Sequence, residues 1–169
     1  MQTEPKELRT GTLRLESPAF GSHDAIPRRY TGEGENVSPP LGWTGVPSGT
    51  RELALVCFDP DAPLPDGFDH WVVYRIPPES TGLEEGESRR NRITEGVNGS
   101  GEPGYTGPAP PPGHGLHHYY FWLYALDTSL DALVQAGLTR RQLIEEIRDH
   151  VIQQARLVGT YEKTEESTS

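Results

Sequence analysis

Apolar residues along this chain fall mostly in short runs of strand length. Residues 53–58 (LALVCF) are apolar at every position and lie between Gly49 and Pro60. A run with no polar face predicts a central strand covered on both sides. Residues 70–76 (HWVVYRI) predict a second strand, ended by Pro77-Pro78, and residues 116–126 predict a third. Leu8, Leu13 and Leu15 predict a short first strand before Ser17-Pro18. Residues 21–45 lack periodicity but carry spaced anchors at Ile26, Tyr30, Val37, Leu41 and Trp43, which predicts irregular chain pinned to a core. Residues 78–102 are polar and glycine-rich, anchored only by Leu83, Ile93 and Val97, and predict a surface excursion.

One helix is predicted, over residues 139–156. Thr139 and Gln142 form a capping-box pattern, and Leu138 with Leu143 supply the flanking hydrophobic staple. Leu143, Ile144, Ile147, Val151 and Ala155 recur at helical spacing. Residues 157–161 predict a last strand, and a further short helix is readable over 130–136. The expectation is a mainly β single domain over residues 8–162 with a helix late in the chain. Residues 1–7 and 163–169 are polar and expected to be flexible termini.

Composition narrows the setting. The 169 residues suffice for one domain with a sizeable core. Glycine (19) and proline (16) are abundant without a repeat, which implies many turns. The single cysteine, Cys57, excludes an internal disulfide and any cysteine-based zinc cluster. No basic-then-apolar leader follows Met1, and no apolar run approaches the roughly 20 residues that span a bilayer. The expectation is therefore a soluble cytoplasmic protein. A net charge of −10 disfavours a nucleic-acid partner. Lys6 and Lys163 are the only lysines. An acidic, lysine-poor surface suits a high-salt cell, and ordinary solubility charge accounts for it equally well.

Candidate chemistry gathers around residues 104–127 (GYTGPAPPPGHGLHHYYFWLYALD). Prolines and glycines stiffen the first half, and His117, His118 and Tyr119 stand where loop becomes strand. Two other strand ends carry polar groups: Asp59-Pro60-Asp61-Ala62-Pro63, and Asp69-His70-Trp71. Strand alternation puts Asp59 and Asp61 on one side, aims His117 and Tyr119 to one face, and His118 to the other. If these ends adjoin, Asp59, Asp61, His70, His117 and Tyr119 form one site. By itself the DPDAP segment reads equally well as a rigid turn. Trp71, Phe121, Trp122 and Leu123 read as core and Trp43 as structural. Asn36 and Ser38 read as turn residues, and His23, His114 and His150 as surface or loop histidines. Cys57, inside a buried run, reads as inert.

Taken together, residues 36–41 with Trp43, residues 59–63, His70-Trp71, residues 104–127 and the ending HVIQQARLVGTY (150–161) resemble the phosphatidylethanolamine-binding protein family. The likeness is to its prokaryotic, Raf-kinase-inhibitor-like branch and spans residues 13–161. The resemblance implies a large antiparallel sheet packed on a smaller one. It also implies a pocket for phosphate-like anions, including phospholipid headgroups. Carried over, the pocket comprises Asp59, Pro63, His70, Gly107, Pro108, His117 and Tyr119, with Asp61 and Trp71 as wall or scaffold. Ala109 stands where related prokaryotic chains often have cysteine, and His118 where arginine is common, which removes a fixed cation.

Such a pocket is chemically coherent. Imidazole N–H groups and a tyrosine hydroxyl donate to an oxyanion, and Asp59 can accept from a histidine and favour its imidazolium. The expected function is binding without reaction and without a cofactor. Three alternatives stand beside it. His70, His117, Asp59 and Asp61 can assemble a zinc or manganese site, although no HExxH-like spacing exists. A His/Asp pair can serve a hydrolase or phosphatase, although no GxSxG or nucleophile adjoins a histidine. A kinase- or protease-binding module is a family-level alternative, with no residues here that identify a partner surface.

Overall fold

The computed structural model describes residues 11–130 and 137–163. Two antiparallel sheets organise it. The smaller joins β1 (Arg14–Glu16), β2 (Leu41–Thr44) and β5 (Gly82–Leu83) in the order β1-β2-β5. The larger joins β3 (Glu52–Asp59), β4 (Phe68–Ile76), β6 (Thr94–Glu95), β7 (His117–Leu126) and β8 (Val151–Tyr161) in the order β6-β4-β3-β7-β8. One helix, α1 (Arg140–Ile147), precedes β8. Among the described residues, no helix is long and apolar enough to cross a membrane.

The unbroken apolar run at 53–58 sits at the centre of the larger sheet, as its lack of a polar face requires. Leu53, Leu55 and Cys57 belong to a core shared with Trp71 and Val73 of β4, Phe121 and Leu123 of β7, and Leu15, Leu41 and Trp43 of the smaller sheet. The intervening Ala54 and Val56 join Val72 and Tyr74 in a second core, capped by Leu138, Leu143 and Ile147 around α1. Period-2 alternation along one strand therefore serves two cores. The excursion at 78–102 contributes two short strands, β5 and β6, and its Leu83 is buried.

The helix is shorter than the sequence pattern suggests. Its capping box is present: Gln142 N–H donates to Thr139 Oγ1 at 3.2 Å, and Thr139 N–H donates to Gln142 Oε1 at 3.0 Å. It ends at Ile147, however, and residues 151–161 form β8 along the whole of β7, from Val151 opposite Leu126 to Tyr161 opposite His117. Val151 and Ala155 are four apart, a spacing that fits both helical and strand periods. The open backbone edge of β7 decides between them, because its N–H and C=O groups need partners. The first strand is confined to residues 14–16. Leu8 and residues 131–136 of the short-helix reading lie outside the described residues.

Candidate functional site

Antiparallel pairing brings three chemical segments together. β3 runs between β4 and β7, so its last residue, Asp59, lies beside Phe68 at the start of β4 and near His117 at the start of β7. Between β3 and β4 the pairing passes from Cys57 opposite Trp71 to Phe58 opposite Asp69, which makes His70 the extra residue of a β-bulge. A bulge re-aims side chains at a strand end. Here Trp71 turns into the core, where its indole N–H donates to Glu95 at 2.7 Å, while His70 faces a cavity.

That cavity has a volume of about 360 Å3 and is lined by Asp59, Pro63, His70, Gly107, His117 and Tyr119 among others. His117 Nδ1–H donates to Asp59 Oδ2 at 2.7 Å, and both residues are 2 % exposed. The other Asp59 oxygen accepts the backbone N–H of Asp61 at 2.7 Å. This aspartate turn rotates the chain after Pro60, so Asp61 does not share the side of Asp59 as strand alternation implied. Asp61 instead lies outside the cavity lining and accepts from the His118 backbone N–H at 2.8 Å, with the His118 ring Nδ1 at 2.9 Å. Burial acts to raise the Asp61 pKa, but these bonds from His118 outweigh it and hold the carboxyl below its usual range. His117 and Tyr119 point to the cavity side and His118 away, as alternation requires.

His70 Nδ1–H donates to the Thr106 carbonyl at 2.6 Å. A carbonyl only accepts, so the proton of the neutral ring is fixed on Nδ1 and Nε2 is the lone-pair nitrogen. Burial pushes the His70 pKa down. Its ring packs edge-on against Phe68 and Tyr119, with centroids 4.7 and 5.1 Å apart. Burial also pushes the Tyr119 hydroxyl well up, with Asp59 adding to it, so it remains a protonated donor. That hydroxyl forms no hydrogen bond among the described residues.

Gly107 lines the cavity because its backbone is pinned from behind: its N–H donates to Asn36 Oδ1 at 2.7 Å. A Cβ at Gly107 would fall on the Tyr30 carbonyl. Pro108 does not line the cavity; its carbonyl faces away and accepts from Gly32 N–H at 2.8 Å. Ala109 forms part of the cavity wall, whereas His118 does not. Both departures from the family pattern are thus placed, and only one bears on the lining.

His114 is an exposed loop histidine, as its setting predicts, but it has a partner that the sequence does not reveal. Its Nδ1 stands 2.7 Å from His117 Nε2, so both ring nitrogens of His117 are engaged within the protein. The loop around His114 has no periodicity to reveal this; the only sequence cue is its spacing of three from His117 across Gly115. Phe68, Thr106 and Ser100 also line the cavity without a sequence signal. Among the described residues, neither lysine nor arginine lines it. Among the described residues, no cluster of three or more His, Cys, Asp or Glu side chains has the arrangement to hold a metal ion.

A model of the phosphatidylethanolamine-binding protein family matches residues 16–162. The chain belongs to the phosphatidylethanolamine-binding protein family. It is 46 % identical over 155 residues to a UPF0098 protein of Methanothermobacter thermautotrophicus, covering 89 % of this chain and 99 % of that one. Its fold matches the crystal structure of a phosphatidylethanolamine-binding protein homologue from Chlamydia trachomatis with a TM-score of 0.83 and 39 % identity, over 91 % of this chain and 99 % of that chain. It matches Escherichia coli YbcL, described as a member of the mammalian family, with a TM-score of 0.83 and 31 % identity, over 90 % and 99 % of the two chains. These archaeal and bacterial relatives place the chain in the prokaryotic branch of the phosphatidylethanolamine-binding protein family.

Proposed function

We propose that this protein binds a small phosphate-like anion, free or as a phospholipid headgroup, in the cavity at Asp59, His70, His117 and Tyr119, and does not transform it. The observation that carries the reading is the Tyr119 hydroxyl. It belongs to a residue 1 % exposed, lines the cavity, and has no hydrogen-bond partner among the described residues. A ligand oxygen placed against it gains a hydrogen bond worth about 0.5–1.5 kcal/mol. The volume of about 360 Å3 suits a small ligand. Asp59 orients His117, and each of its two oxygens already accepts one donor.

Binding without turnover is favoured because no serine, threonine or cysteine side chain is hydrogen-bonded to His70 or His117 among the described residues, and nucleophilic catalysis needs such a pair. A second concavity of about 450 Å3 lies beside Tyr74 and Arg92. Its Arg92 guanidinium is engaged by Glu87 at 3.0 Å and Glu84 at 3.2 Å, which makes it a poorer anion receptor.

Calorimetric titration of inorganic phosphate and phosphoethanolamine at low salt tests the reading. Saturable binding by the wild type, weakened about tenfold in Tyr119→Phe, supports it. A folded wild type that binds neither compound overturns it.

A further inference from the structure

The cavity has the wrong charge for an unprotonated anion. Among the described residues no lysine or arginine lines it, and the Asp59 carboxylate forms part of its wall. The imidazoles do not repair this while neutral. His117 spends Nδ1 on Asp59 and Nε2 on His114, and His70 spends its Nδ1–H on the Thr106 carbonyl. What the neutral site offers is the hydroxyls of Tyr119, Ser100 and Thr106 and the lone pair of His70 Nε2. That nitrogen has no partner among the described residues, on a side chain 4 % exposed that lines the cavity. A lone pair facing an anionic oxygen is repulsive; the same nitrogen carrying a proton donates a charge-assisted hydrogen bond.

We propose that the cavity takes up its anion together with one proton, held between a ligand oxygen and His70 Nε2, which makes His70 the residue that determines the protonation state of the bound species. This rests on the anion-binding reading above and deepens it. The step is a proton transfer alone: a solvent or buffer acid gives up its proton, an N–H bond forms at His70 Nε2, and the conjugate base stays in solution. Asp59, Asp69, His117 and Tyr119 are the titratable groups that face His70 among the described residues, and His117 acts against its protonation. Asp69, on its own strand, is bound to Arg140 at 2.6 Å, Asp59 of β3 is bound to His117, and Tyr119 of β7 is uncharged. Asp61, further along the turn, is tied to His118. Burial pushes the ring below its ordinary range and His117 acts the same way, while the bond to the Thr106 carbonyl and the neighbouring Asp59 and Asp69 act to raise it. A bound anion adds to that upward pull and makes protonation favourable. The ligand class that follows is an oxyanion that brings the proton itself or accepts a hydrogen bond from the protonated ring, such as a phosphate monoester or sulfate.

The test is titration calorimetry of sulfate and of methyl phosphate at pH 7.5, in two buffers of different ionisation enthalpy. Sulfate carries no proton at that pH, so any proton taken up with it resides on the protein. The expected result is uptake of about one proton per sulfate and affinity that falls about tenfold per pH unit above pH 7. His70→Gln places an amide donor near Nε2 that cannot titrate; it is expected to bind with no proton uptake and with flat pH dependence. Binding by the wild type without uptake overturns the inference alone. So does full uptake retained in His70→Gln, which would assign the proton to the His114–His117 pair. Absence of binding to either anion overturns both this inference and the anion-binding reading. Should His70→Gln fail to fold, imidazole 15N shifts of the wild type decide. Movement of His70 Nε2 to its protonated position on adding sulfate supports the inference, and no movement with bound sulfate overturns it.

Discussion

Asp59 closes β3 and His117 opens β7, and their side chains meet at 2.7 Å while both are almost wholly excluded from solvent. The contact spans 58 positions of sequence and exists because antiparallel pairing sets the end of one strand against the beginning of the next. The same carboxylate holds the turn at Asp61, so one side chain ties the strand end, the turn and the imidazole together.

Replacing that carboxylate tests its structural share. Asp59→Ala leaves the buried His117 Nδ1–H without its acceptor and frees the Asp61 backbone N–H at an exposed turn. A buried donor left stranded costs about 1–3 kcal/mol. A loss of about 1–3 kcal/mol in urea unfolding is expected; a loss below about 0.5 kcal/mol would show that the imidazole finds another acceptor.

Two buried tyrosines give a matched pair of hydroxyl deletions. Tyr105 donates to the Tyr30 carbonyl at 2.6 Å, whereas Tyr119 donates to nothing among the described residues. Tyr105→Phe is expected to cost about 1–2 kcal/mol of stability. Tyr119→Phe should leave stability within about 0.5 kcal/mol of the wild type and weaken anion binding. Equal stability losses would contradict the assignment of the Tyr119 hydroxyl to a ligand.

His70 links stability to pH. Its folded-state pKa is lowered, chiefly by burial, so between that value and the ordinary 6.5 the unfolded chain binds more protons than the folded one. Stability is therefore full above pH 6.5 and declines as pH falls through the lowered value. Urea unfolding from pH 7.5 to 5 should show this decline, and His70→Gln should flatten it. An unchanged slope in the variant would assign the titration elsewhere.

Gly107 is fixed by packing. An added Cβ would fall on the Tyr30 carbonyl and lie 2.7 Å from Asn36 Oδ1. Gly107→Ala should therefore push the loop into or away from the cavity, with a stability loss of about 1–3 kcal/mol and weaker binding of phosphate. Wild-type unfolding with wild-type affinity would show that the loop yields freely.

The sequence by itself determined the parts that follow from local pattern. The apolar run at 53–58 had to be a central strand because it has no face to give to water, and it is. Thr139 and Gln142 marked the start of α1 because a capping box is a contact between neighbours in sequence. The order of the DPDAP, HW and His-x-Tyr segments marked the family and the titratable side chains of the cavity lining, Asp59, His70, His117 and Tyr119. Tertiary structure decided what depends on neighbours far along the chain. Whether residues 151–156 continue a helix or form a strand turned on the open edge of β7. Asp61 left the cavity because Asp59 captured its backbone N–H. His70 gained its aim from a bulge in pairing with β3, and His114 reached His117 through a loop whose prolines and glycines carry no period. Local pattern fixes which face of a segment is apolar; which hydrogen-bonding groups remain for a ligand depends on which ones the folded chain has already used.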